Sequence, residues 1–168
     1  MIKDAQSITI EAPPETVWEQ ITNLEGGYKF EHEEVRVVSD DKRFQDGLRF
    51  TEKERIGGIL AEVEAANYDV MPNRQYRFRG NAVYHHLGLK TPLEQGETFS
   101  LRPDGDATTL TLESWGRFPD TLFGKVPEFY ATKILNIDKP LAEHDRGELD
   151  DFTNSIETSK AADPPKTQ

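Results

Sequence analysis

The segment Ser7 to Leu24, SITIEAPPETVWEQITNL, restricts the fold of this chain more than any other stretch. Ile8 and Ile10 alternate with polar residues at the period of a half-buried strand. Pro13 and Pro14 stop that strand and suit the first turn of a helix, where a missing N–H is lost from no ladder. Glu15 then places negative charge at the positive end of the helix. Val17, Ile21 and Leu24 follow at i, i+4 and i+7, with Trp18 widening the stripe. An edge strand turning through two prolines into an amphipathic helix is a scaffold device, and it speaks to architecture before chemistry.

Beyond Gly26-Gly27 the pattern returns to strands. Val35 and Val37, then Leu48 and Phe50, then Ile59, Ala61, Val63 and Ala65 alternate, with Gly57-Gly58 as a turn. Tyr76 and Phe78 alternate with Arg77 and Arg79 after the turn at Met71 to Arg74. From Asn81 to Gln95 the period breaks down, which reads as a long loop or a distorted strand. Glu97 to Trp115 reads as a hairpin closed by Asp104-Gly105. That turn sets Phe99 opposite Leu110 and Leu101 opposite Thr108, and puts Phe99, Leu101, Leu110, Leu112 and Ser114 on the inner face. From Asp120 the period becomes helical, with Leu122, Val126, Tyr130, Ile134, Ile137, Leu141, Leu149, Phe152 and Ile156 along one stripe. Pro140 is expected to kink or divide this helix, and Asp138 to cap a second segment. One domain over 1–157 and a disordered tail over 158–168 are expected.

Composition narrows the function classes. The chain has 168 residues, enough for a substantial core, and a net charge of −11 with no basic cluster. Phosphate backbones and anionic lipid surfaces are repelled by such a surface, so no nucleic-acid partner is expected. With no cysteine, disulfides, thiolate metal sites and cysteine nucleophiles are excluded. No apolar run is long enough to span a bilayer, so no stable membrane insertion is expected and a cytoplasmic location is the default.

Strand, helix, a run of antiparallel strands and a long closing helix describe an α+β protein. Its curved antiparallel sheet of six to seven strands would have one face covered by a helix. SITIEAPPETVWEQITNLE, NYDVMPNRQYRFRG, GETFSLRPDGDATTLTLES and the closing ELDDFTNSIE resemble the helix-grip superfamily of START and Bet v 1-like (SRPBCC) domains, in its polyketide cyclase/dehydrase and lipid-transport branch. The resemblance spans nearly all of residues 6–157. It departs after the first helix, where many members carry a tryptophan and a proline and this chain reads GGYKFEHEEV. The resemblance implies a cavity between sheet and helix. A carrier or sensor would hold a lipid, polyketide or isoprenoid-like molecule there; the alternative is a small cyclase, dehydratase or isomerase. No cofactor is implied.

On the residues, Tyr76, Phe78, Phe99, Leu112, Phe129, Tyr130 and Ile134 are the expected ligand-binding lining, with simple mutual packing as the competing reading. Tyr84, His85 and His86 lie in the aperiodic stretch, where a loop could overhang the cavity. Tyr84 and His86 are therefore candidates for acid/base work. Asp69 joins them if the following turn is tight enough to face it toward Tyr76; a longer loop moves it to the surface, the favoured reading. Arg77 and Arg79 are expected to face outward, with a parity error turning them inward to clamp a ligand carboxylate, and Arg117 just past Gly116 carries the same ambiguity. No metal site is expected: His32 stands beside Glu33 and Glu34, but the HExxH spacing is absent and position 36 is Arg36.

Overall fold

The computed structural model describes residues 1–134 and 136–162. Strand β1 (Ile2–Ile10) ends where the two prolines begin, and α1 (Pro14–Thr22) opens with Pro14 in its first turn. The carbonyl of Pro13 accepts from Thr16 and Val17, which closes the first turn of α1 without a side-chain cap. A short α2 (Leu24–Gly27) follows, then β2 (His32–Val37), β3 (Arg49–Ile56), β4 (Ile59–Met71), β5 (Gln75–His86), β6 (Leu89–Asp104) and β7 (Ala107–Arg117). The sheet order is β1-β7-β6-β5-β4-β3-β2, antiparallel throughout. The first two strands are thus the two edges, and α1 and α2 run between them, closing one end of the sheet. The chain ends in α3 (Leu122–Phe129), a π-helical turn (Tyr130–Ile134) and α4 (Asp138–Ala162). Among the described residues no helix is long and apolar enough to cross a membrane.

Alternation decides which side chains enter the core. Phe50 and Ile56 on β3, Val63 on β4, Tyr76 and Phe78 on β5, and Leu110 and Leu112 on β7 all face inward and are buried. Leu149, Phe152 and Ile156 of α4 meet them at helical spacing, and Val17 and Ile21 of α1 seal the end. This half of the interior is aromatic and dry. Tyr76 stacks on Phe99 with ring centroids 4.8 Å apart, and Phe44 meets Tyr76 edge-on at the same distance. The Tyr28 and Tyr76 hydroxyls bond each other, and both reach the carbonyl of Ile21, tying β5 to α1.

Four features differ from the sequence reading. The β6–β7 loop is Gly105-Asp106, one residue later than expected, with Gly105 at φ +64° as a II′-type turn requires. Phe99 therefore faces Leu112 and Leu101 faces Leu110. The partner moves by two residues, so every inner-face assignment survives. Residues 81–95 are neither loop nor irregular: β5 runs to His86 and β6 starts at Leu89, joined by Leu87-Gly88 with positive φ at both positions. The closing helix is divided, with its second segment starting at Asp138 as expected, but Pro140 is not the cause. Its break falls around Asn136 (φ +50°), so Pro140 sits harmlessly in the first turn of α4 and kinks nothing. Finally, α4 extends to Ala162, five residues into the expected tail; residues 163–168 lie outside the described residues.

Candidate functional site

The sheet is longer than the dry core beneath it. Toward the β5–β6 hairpin the concave face and the α3–α4 segment part, leaving a cavity of about 430 Å³. Ile56, Leu93, Phe118, Ala131, Ile137 and Leu141 supply apolar wall from strands, helices and the segments between them. At the mouth, Leu87 and Leu89 on the hairpin tip are 80% and 71% exposed, and Val126 across from them on α3 is 64% exposed. His86 and Tyr130 approach across the opening, with ring centroids 6.1 Å apart.

The inner end is polar. Glu54, Tyr84, Gln95, Glu97 and Ser114 all line the cavity because each holds an inward parity position on its strand. Tyr84 donates to Gln95 Oε1 at 2.7 Å, and Gln95 Nε2 donates to Glu54 Oε1 at 3.2 Å. Behind Glu54 lies a second layer. His144 on α4 places Nε2 3.3 Å from Glu54 Oε2 and Nδ1 2.9 Å from Glu31 Oε2. His32 places Nε2 3.8 Å from both Glu52 Oε2 and Glu54 Oε2. The ligand-type atoms of His32, Glu54 and His144 lie within 4.8 Å of one another. The N-terminal half of α4 thus buries His144, Asp145 and Glu148 on the face that later carries Leu149, Phe152 and Ile156.

Packing so many acids away from water drives their protonation apart. Burial pushes Glu97 and Glu52 well above the usual carboxylate range, helped by neighbouring carboxylates. Glu148 rises for the same reasons to about 8. Burial also opposes charge on Glu54, but His144 and His32 outweigh it and hold that carboxyl low. For His144 burial opposes the charged form, and the surrounding carboxylates, Glu54 foremost, overcome it and raise it to about 10. His32 is lowered, chiefly by burial. Tyr84 is raised well above its ordinary value by burial and then by Glu54 and Glu52. The raised pKa favours the protonated, hydrogen-donating form of Glu97 beside the Tyr84–Gln95 pair.

The expected site residues separate into three groups. Tyr84, His86 and Tyr130 do line the cavity. Tyr76, Phe78, Phe99 and Leu112 do not: at 0–3% exposure they pack on one another, on Phe50 and on Phe152, in the dry half of the interior. Inward parity alone could not say which end of the strand is covered by helix and which by empty space. Phe129, the last residue of α3, is 62% exposed and outside the lining. The side chain of Ile134 lies outside the described residues. Asp69 is at the surface, bonded to Gln75 and paired with Arg77, and does not converge with Tyr84 or His86.

Glu54, Gln95, Glu97, His32 and His144 were missed. For Glu54, Gln95 and Glu97 the signal was present: Glu52 and Glu54 share parity with Phe50 and Ile56, and Gln95 and Glu97 with Leu93 and Phe99. Polar residues on an apolar face indicate a wet interior.

A sequence profile described as polyketide cyclase / dehydrase and lipid transport matches residues 1–136. The fold is similar to that of a crystal structure from Thermus thermophilus, with a TM-score of 0.69 and 19% identity over 94% of this chain and 98% of the other. A START superfamily protein from Mycobacterium smegmatis aligns with a TM-score of 0.63 and 15% identity, over 94% and 98% of the two chains. Ara h 8.0201 aligns with a TM-score of 0.57 and 9% identity, over 93% and 97%. No curated protein sequence is similar enough to match.

Proposed function

Because the chain belongs to the polyketide cyclase / dehydrase and lipid transport family, we propose that it holds a small, largely apolar molecule with a neutral polar head in the cavity under the β5–β6 hairpin, as a carrier or sensor. Family and fold together point to binding of a hydrophobic ligand; head-group preference and role are the finer reading. The observation that carries it is the cavity itself, about 430 Å³, with largely apolar walls and a cluster of polar side chains at its inner end. That is the make-up of a small-molecule site. Tyr84, Gln95 and Glu97 can donate or accept to an alcohol, ketone or phenol. An anionic head would meet the ionised Glu54 and a chain of net charge −11, an unfavourable encounter in a low-dielectric pocket. Extraction and mass spectrometry of gently purified protein should recover a neutral apolar compound at near-stoichiometric yield. A protein that arrives empty and shows no thermal shift with long-chain alcohols, alkylphenols or ketones contradicts the reading.

A second reading is favoured by one observation: Tyr84 and Glu97 line the inner end of the same cavity whose mouth His86 borders. A carboxyl group that burial biases toward its protonated form and a hydroxyl on one wall suit enolisation or dehydration of a bound carbonyl compound. Incubating the extracted compound with wild type and with Glu97→Gln distinguishes the two: a product formed by wild type alone makes the protein an enzyme, and an unchanged compound leaves it a carrier.

A further inference from the structure

We propose that His32, Glu54 and His144 form a binding site for a divalent first-row transition-metal ion at the inner end of the cavity. This goes beyond ligand binding and stands without it.

The backbone is arranged to bring these three together. On β2 the inward residues are Val35 and Val37, so an even-numbered residue should face out. A register shift between His32 and Glu34 reverses that parity and sets His32 opposite Glu54 of β3. Bulges of this kind re-aim a side chain at a site. α4 then lays His144, 1% exposed, over the same spot from the other side.

The two imidazoles are oriented as metal ligands are. His32 Nδ1 lies 2.7 Å from the carbonyl oxygen of Phe30. A carbonyl only accepts, so Nδ1 carries the hydrogen and Nε2 of the neutral ring is a bare lone pair. His144 Nδ1 is held at 2.9 Å by the Glu31 carboxylate, again leaving Nε2 turned inward. An imidazole fixed through one nitrogen by a carbonyl or carboxylate, with the other nitrogen presented, is the usual outer-shell arrangement around a metal.

What the inward nitrogens meet is only more acceptors. His32 Nε2 sees Glu52 and Glu54, each at 3.8 Å, and His144 Nε2 sees Glu54 at 3.3 Å and Glu148 at 3.9 Å. Nε2 of His144 is buried with no hydrogen-bond partner. Among the described residues no lysine or arginine pairs with Glu52, Glu54 or Glu148. The Glu54 carboxylate faces both inward nitrogens, an arrangement that stabilises positive charge between them. A proton on His144 supplies part of that charge, and a metal ion supplies it with both imidazoles engaged. In a tetrahedral site with bonds of about 2.0–2.1 Å, neighbouring ligand atoms stand about 3.3 Å apart. The two separations to Glu54, 3.3 and 3.8 Å, need only tenths of an ångström of adjustment, and the imidazole nitrogens, within 4.8 Å of each other, close on the ion by side-chain movement. Two imidazoles and one carboxylate suit zinc, iron(II) or cobalt(II), while magnesium and calcium prefer all-oxygen shells. Glu54 also lines the cavity, so the site adjoins the space where a ligand would lie.

The test uses the full chain without an affinity tag, stripped with chelator and titrated with Zn²⁺ and, separately, Co²⁺. One ion per chain should bind with micromolar or tighter affinity, raise the melting temperature, and give a visible cobalt spectrum of low coordination number. H32Q should abolish binding. E31Q alters a part-exposed carboxylate that holds His144 Nδ1, and should weaken binding by roughly 10–100-fold. H85Q, altering a histidine paired with Glu62 on the far face, should change nothing. If H32Q does not fold, E31Q decides. No stoichiometric binding, binding unaffected by E31Q, or binding lost in H85Q overturns the proposal. Because zinc binding is read without any organic ligand, its failure leaves the apolar-cavity reading standing, and the reverse also holds.

Discussion

Replacing Tyr130 with tryptophan separates cavity from core in one measurement. Tyr130 is 38% exposed and borders the cavity. An indole there has open space of about 430 Å³ to enter. Stability should therefore change by less than about 0.5 kcal/mol, as for an ordinary surface position. Phe99→Trp is the matched control: at 0% exposure, with Tyr76 stacked at 4.8 Å and Phe152 at 6.3 Å, it has nowhere to put the extra ring. Overpacking of this kind costs about 1–3 kcal/mol. At about 2–4 °C per kcal/mol for a domain of this size, Tm should fall by roughly 2–12 °C. For ligand the order reverses. An indole at Tyr130 that displaces ~50–60 Å² of apolar contact costs about 1.4 kcal/mol, a tenfold loss of affinity. Phe99→Trp, remote from the lining, should leave affinity near wild type. Differential scanning calorimetry and a titration with an alkylphenol read both quantities. If Tyr130→Trp destabilises as much as Phe99→Trp, or leaves affinity unchanged, the cavity assignment is wrong.

Two further outcomes follow from the geometry. Burial raises the Glu97 pKa above its ordinary 4.5, so the folded chain keeps a proton that the unfolded chain releases. That contribution is complete below about pH 4.5 and is lost as pH rises, so wild type should lose stability against E97Q between pH 4.5 and 8. Urea midpoints at the two pH values measure it, and a pH-independent difference would contradict the burial argument. At the mouth, L87S/L89S alters two exposed side chains, so Tm should hold within about 2 °C. Uptake of an apolar ligand from vesicles should slow in stopped-flow fluorescence, and unchanged uptake would place the entrance elsewhere.

The fold was legible because it rests on periodicity. Diproline punctuation, two-residue alternation and a helical stripe survive any detail of packing, and even the misplaced β6–β7 turn kept every residue on its correct face. The stretch 81–95 was illegible for a physical reason: its inward positions Tyr84, Thr91 and Gln95 border a cavity with a polar end, so hydrophobicity no longer separates the faces. The site was harder still. Glu54 and Glu97 were visible by parity, whereas His32 faces inward only because of a bulge that no pattern announced. His144 and Glu148 occupy a polar gap in the α4 stripe between Leu141 and Leu149, which reads as solvent exposure until the sheet opposite proves polar as well.

The most direct test of the central claim is the affinity of a homologous series of straight-chain alcohols, measured by isothermal titration. If the walls are the binding surface, each added methylene should gain about 0.8 kcal/mol, roughly fourfold in Kd, until the cavity of about 430 Å³ is full, and then nothing. The matching carboxylates should bind more weakly at every length. An affinity independent of chain length, or carboxylates preferred over alcohols, would contradict the account.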